Sequence, residues 1–160
     1  MEDNQRIKES LTKKFKDKVL NVKEPLGDTV IQVKKQDILE ILKFLKEKPQ
    51  DYSMLLDLTC VDYKGKKPRF EMVYHVFSLS KNHRLRIKCG VPEDDLEVPS
   101  VCGMWKNANW LEREVYDMFG IHFTGHPDLR RLFMYDGFEG HPLRKDYPLR
   151  KRQPRIRLRK

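Results

Sequence analysis

The sequence predicts an α+β fold: a mostly antiparallel sheet, helices packed on one side, and an extended basic C-terminal arm. Three observations carry that reading. Apolar residues recur at helical spacing in three stretches, from Asn4 to Phe15, from Asp37 to Lys46 and from Asn107 to Phe119. Strand-like runs lie between the second and third stretches, and their links are too short for parallel crossovers. The chain ends in RKRQPRIRLRK, which has almost no apolar side chains and cannot order itself by burying a core.

The elements follow in order. Ile7, Leu11 and Phe15 stand at i, i+4 and i+8, so the first helix docks by one stripe. Val19 to Val22 reads as a brief strand, Pro25, Gly27 and Asp28 as a turn, and the β-branched run Thr29 to Val33 as a second strand. Asp37 caps a helix whose buried face is Ile38, Ile41, Leu42 and Leu45, and Lys48-Pro49 ends it. Met54 to Tyr63 is apolar enough to predict a central strand. Phe70 to Leu79 and Arg84 to Cys89 follow as strands, the first with Phe70, Met72, Tyr74 and Val76 on one face. Pro92 to Pro99 reads as an acidic loop, and Ser100 starts a helical segment running through Trp105 into the third helix.

Composition narrows the class. The 160 residues suggest one core, arranged as an α+β unit over residues 1–135 and an extended segment with the basic arm over 136–160. Charged residues make up 36% and the net charge is +9, concentrated after Arg144, where Asp146 is the lone carboxylate side chain. Such a tail suits an acidic partner. Cys60, Cys89 and Cys102 are odd in number and form no CxxC, which speaks against a disulfide framework. The N-terminus lacks the apolar core of a signal peptide, and no apolar run reaches the ~20 residues of a membrane span.

The stretch from Asn107 to Leu149 carries the most information. Leu111, Val115, Met118 and Phe119 form its helical stripe, Asn109 and Glu112 have capping-box spacing, and Gly120 can close the helix left-handed. Two bends follow, Gly125-His126-Pro127 and Gly140-His141-Pro142, each trailed by Leu and Arg. Proline holds both histidines extended.

Glu112, Glu114 and Asp117 could be acid–base groups or metal ligands. However, Glu112 and Glu114 face different sides, and the Glu-x-x-His spacing of a di-metal helix is missing. Capping and an Arg113–Asp117 pair explain them better. His122 and His126 have the gap of half a zinc site without its cysteine pair. Cys102 with His122, His126 or His141 as base lacks local support, and cysteine is most often simply buried. Nucleotide, flavin, serine-hydrolase and iron–sulfur motifs are missing. No catalytic, cofactor or metal residue is therefore expected in this chain. Arg130, Arg131, Arg144 and Lys145 sit beside the bends amid Phe123, Phe133, Tyr135, Phe138 and Tyr147. An irregular segment with so much apolar matter must pack on something, which favours a partner surface.

The run EREVYDMFGI at Glu112 to Ile121, then FTGHPDLRR, then GHPLRKDYPL to Leu149, resembles the C subunit of the NADH–quinone oxidoreductase family, the 30-kilodalton subunit of respiratory complex I. The likeness extends upstream through LTCVDY, RFEMVYHVFSLS, RLRIKCGVPEDD and VPSVCGMWKNANW. The resemblance implies a scaffold protein of the peripheral arm, without cluster or flavin, bracing the quinone-site D subunit and the cluster-bearing B subunit. FMN, iron–sulfur clusters, NADH and quinone then belong to other subunits. It implies a place on the cytoplasmic face of the inner membrane, held there through the complex. Related subunits serve membrane-bound hydrogenases, formate hydrogenlyases, coenzyme F420 dehydrogenases and ferredoxin–plastoquinone enzymes. The expected partner-contact residues are Glu112, Arg113, Asp117, His126, Arg130, Arg131, His141, Arg144, Lys145 and Asp146. A rival from another class is a nucleic-acid-binding module using the basic tail. Against it, the charge sits at one terminus and no RNA-binding motif accompanies it, so no nucleic acid is expected.

Overall fold

Strand alternation decides which face of the sheet meets the helices. A computed structural model describes residues 2–154. Its elements are α1 (Glu2–Phe15), β1 (Val19–Lys23), β2 (Thr29–Val33), α2 (Ile38–Lys46), β3 (Met54–Asp62), β4 (Phe70–Ser78), β5 (His83–Val91), β6 (Glu97–Pro99), α3 (Ala108–Phe119) and β7 (His122–Thr124). The main sheet has five strands in the order β1-β2-β5-β4-β3. Every pairing in it is antiparallel except β2 with β5, which is parallel. The fold is α+β with a mixed sheet.

Register places Leu58, Tyr74 and Ile87 side by side, and Cys60, Met72 and Cys89 next to them. These residues are buried and share one cluster with Ile7, Leu11 and Phe15 of α1, Ile41 and Leu45 of α2, and Val115 and Met118 of α3. All three helices therefore lie on one face of the sheet. The other face carries paired charges: Asp28 with Arg84 and Arg86, and Glu71 with Lys88.

Several expectations about the elements needed correction. Met54–Asp62 is an edge strand rather than a central one. Its apolar character comes from a covered edge, where the Trp105 indole donates to the carbonyl of Ser53 at 2.9 Å and the Asn107 amide to that of Leu55 at 2.8 Å. Residues 100–107 form turns, not a helix, and α3 starts at Ala108. The acidic loop ends in a strand, β6, which pairs in parallel with β7. Asp37 makes no side-chain cap; it lies 3.4 Å from the Lys18 ammonium instead.

The start of the basic arm folds back. Gln153 exchanges hydrogen bonds with the backbone of Glu139, and Tyr135 donates to the carbonyl of Pro154. The remainder of the predicted arm, residues 155–160, lies outside the described residues.

Candidate interaction surface

Helix α3 presents two fully buried carboxylates to what precedes and follows it. Glu112 is used backwards. It accepts the amide of Val101 at 2.6 Å and the thiol of Cys102 at 3.4 Å. It does not close a capping box with Asn109, because the helix begins before Asn109. Burial pushes the Glu112 carboxyl up, against the opposing pull of the Val101 amide and the Ser100 hydroxyl.

Asp117 is used forwards. One oxygen receives the Arg131 guanidinium at 2.8 Å, and the other receives the amides of Leu132, Phe133 and Met134 at 3.1, 2.8 and 2.8 Å. Burial alone would raise this carboxyl; the amides of Met134 and Phe133, with Arg131 and Leu132, outweigh burial and hold it below the usual range. Arg113 does not pair with Asp117. It donates to the carbonyls of Arg130 and Arg131, both at 3.1 Å. One helix thus fixes the whole turn over 130–134 by hydrogen bonds to its backbone.

The two bends anchor differently. Gly125 and Gly140 both take positive φ, at 81° and 94°. His126 accepts the amide of Asp128 at Nδ1, which leaves Nε2–H to donate to the carbonyl of Asn109 at 3.2 Å. His141 donates from Nδ1 to the carbonyl of Asp117 at 3.0 Å, and burial lowers its pKa. Arg144 donates to the carbonyl of Phe119 and lies over the ring of Phe70.

A second anchor lies at the end of β3. Asp62 takes both arms of the Arg69 guanidinium, at 3.0 and 2.8 Å. The same guanidinium bonds Asp146 at 2.8 Å and also Glu93. Sequence reasoning missed Asp62 and Arg69, since charged residues at strand ends ordinarily read as solvated. It also missed that Cys102, Glu112 and His126 come together, with one ligand atom from each lying within 4.8 Å of the others. Nothing in their spacing signals that convergence.

The expected contact residues therefore fall into two groups. Glu112, Arg113 and Asp117 are buried, and His126, Arg131, His141 and Arg144 are engaged with this chain's own backbone. Arg130 is on the surface, 72% exposed, and Lys145 is also exposed. Asp146 bonds inward to Arg69 while remaining partly exposed. The apolar residues left in water by this framework are Trp110, Phe133, Leu143 and Leu149, at 59%, 61%, 54% and 98% exposure. A cleft of about 760 Å³ beside the second anchor, lined by Lys66, Lys67, Arg69 and Glu93, has no thiol or imidazole among its lining residues. Among the described residues no helix is long and apolar enough to cross a membrane.

The family described as "Respiratory-chain NADH dehydrogenase, 30 Kd subunit" matches residues 31–153. The chain is 51% identical to the NADH-quinone oxidoreductase C subunit of Geotalea uraniireducens over 149 residues, covering 93% of this chain and 90% of the relative. It is 47% identical to the corresponding C subunit of Geobacter sulfurreducens over 150 residues, covering 93% and 92%. A trypsin-resistant fragment of Nqo5 has the same fold, with TM-score 0.69 and 31% identity over 78% of this chain and 99% of the fragment. A chain of the membrane-bound sulfane sulfur reductase, an archaeal respiratory membrane complex, matches with TM-score 0.77 and 25% identity over 93% and 87%.

Proposed function

The chain belongs to the 30-kilodalton subunit family of respiratory-chain NADH dehydrogenase, and on that premise we propose that it is a non-redox scaffold in the peripheral arm of a proton-translocating NADH–quinone oxidoreductase. Its surface braces the quinone-site D subunit and the cluster-bearing B subunit, and the segment over 136–160 runs out along the former. FMN, iron–sulfur clusters, NADH and quinone are handled by other subunits. The assembly holds the chain at the cytoplasmic face of the membrane.

One observation carries this reading: Phe133, Leu143 and Leu149 stand in water on a segment bonded from beneath by Asp117 and Asp62. Exposed apolar side chains on a pre-ordered backbone suit a protein partner, because little ordering entropy remains to be lost on docking. The buried carboxylates support the segment rather than converging on a substrate pocket. Likeness to the sulfane sulfur reductase chain favours, as a second reading, the equivalent subunit of a related membrane complex.

The test is a pull-down from detergent-solubilised membranes with the wild-type chain and Arg130→Glu. The wild-type chain should retain the D and B subunits together with an NADH-binding flavoprotein, and the charge reversal should lower their recovery. Recovery of a nickel hydrogenase subunit in place of the flavoprotein would select the second reading. Full recovery with Arg130→Glu would remove Arg130 from the surface.

A further inference from the structure

Three ligand types meet at the root of the first bend: a thiol from the turn before α3, a carboxylate from α3 and an imidazole from the bend itself. Their ligand atoms all lie within 4.8 Å of one another. We propose that Cys102, Glu112 and His126 form a binding site for a divalent metal of the zinc class, tying the first bend to α3. This site is independent of the scaffold reading.

The donor set fits that metal. Zinc accepts thiolate, carboxylate and imidazole together, and three protein ligands leave a fourth position for water. Tetrahedral ligands at zinc distances stand about 3.4–3.6 Å apart, so the cluster must contract by about 1 Å. Cys102 lies in a turn and His126 in a loop, so side-chain rotation can supply that contraction. Both are partly exposed, which gives the ion an entrance.

Charge supports the same conclusion. Glu112 is fully buried, and among the described residues no lysine or arginine pairs with it. A divalent ion with one thiolate and one carboxylate is net neutral, which gives the buried carboxylate the cation that its hydrogen bonds from Val101 and Cys102 do not supply. The thiol proton leaves to solvent as the sulfur–metal bond forms, and no electron changes hands. Burial pushes the Cys102 thiol up to about 11, so the metal must supply the driving force for that loss.

For the metal to bind at Nδ1 of the imidazole, the ring must release the exposed amide of Asp128, which water can satisfy, while Nε2–H keeps the carbonyl of Asn109 as the outer bond that commonly orients a ligating histidine.

The experiment is a cobalt titration of the purified full-length chain, read by visible absorption and followed by zinc competition. One equivalent of cobalt should produce a thiolate charge-transfer band that zinc abolishes. Cys102→Ser, whose hydroxyl can still donate to Glu112, should lose the band. His126→Gln should weaken binding at least tenfold, while His122→Gln, at an exposed position of β7, should bind as wild type. Circular dichroism verifies that each variant is folded. No charge-transfer band in the wild-type chain would overturn the site whatever the variants do, as would a band that survives Cys102→Ser. Equal weakening by His122→Gln would mean an adventitious surface ion only.

Discussion

The amide of Lys145 donates to Oδ2 of Asp62 at 2.9 Å, joining residues 83 apart in sequence. The same carboxylate holds Arg69, and Arg69 holds Asp146. The end of a sheet strand and the turn after the second bend are therefore one hydrogen-bonded unit. Its charges are shielded unevenly: the Asp62 and Arg69 side chains are 1% and 6% exposed, while Asp146 and Glu93 are at 43% and 61%.

Asp62→Ala removes the acceptor and leaves Arg69 with only its outer, wetter partners. Breaking a buried ion pair by deleting one partner costs roughly 3–5 kcal/mol, and the remaining carboxylates place this case near 3. For a chain of this size that corresponds to a fall in Tm of about 6–12 °C. Calorimetry on the isolated chain checks it. A fall under a degree would mean that the unit contributes little beyond geometry.

Gly120→Ala tests the closure of α3. Gly120 has φ of 73°, where an L side chain costs about 1–2 kcal/mol. An added Cβ would also stand 2.5 Å from Nε2 of His141 and 2.7 Å from Nη2 of Arg144. Both side chains must shift, loosening the second bend from the helix end. Trypsin should cut within residues 144–152 faster in the variant than in the wild type, and by more than the lowered Tm alone explains.

Stability should fall as pH drops from neutrality, and His141 begins the fall. Burial lowers its pKa from the ordinary 6.5, with Arg144 and Arg131 adding to that and the carbonyl and carboxylate of Asp117 opposing it. The unfolded chain therefore takes up the proton first, and stability is lost as pH falls below 6.5 toward the folded value. Asp62 and Asp117 are lowered below the ordinary 3.8, so their contribution is present above it and lost further into acid. Glu112 is raised from 4.5 and works the other way, its contribution being lost as pH rises through the folded value. His75, lowered from 6.5 by burial and by Arg86, adds to the same window. Urea unfolding across pH should show the first loss just below 6.5, and His141→Gln should reduce that part of the profile without abolishing it.

The same particulars explain what the sequence made legible. Ile38, Ile41, Leu42 and Leu45 identify α2 because a buried stripe has the period of a helix. Phe70, Met72, Tyr74 and Val76 identify β4 because its burial alternates. The parallel pairing of Thr29–Val33 with β5 was not legible, since alternation fixes a face but not a neighbour. Met54–Asp62 read as central because a covered edge and an interior strand bury the same side chains. At the bends, GHP and its arginines predicted rigid turns carrying charge. Whether a guanidinium meets this chain's backbone or a partner depends on contacts across many residues, such as Arg113 with Arg131 and Lys145 with Asp62.

Leu149→Asp tests the docking surface without touching the anchors. Leu149 is 98% exposed, so the isolated chain should keep its Tm. If Leu149 enters an apolar pocket of the neighbouring protein, the aspartate is desolvated there without a partner. A central contact residue of this kind carries roughly 2 kcal/mol, or about a 30-fold loss of affinity, visible as failure to recover partner subunits from solubilised membranes. The matched control is Leu79→Asp, also exposed at 66% but in the turn between β4 and β5. Leu79→Asp should assemble like wild type. Equal losses from the two variants would show that introducing an exposed carboxylate, rather than this segment, governs assembly. Equal recovery would place the partner surface elsewhere on the chain.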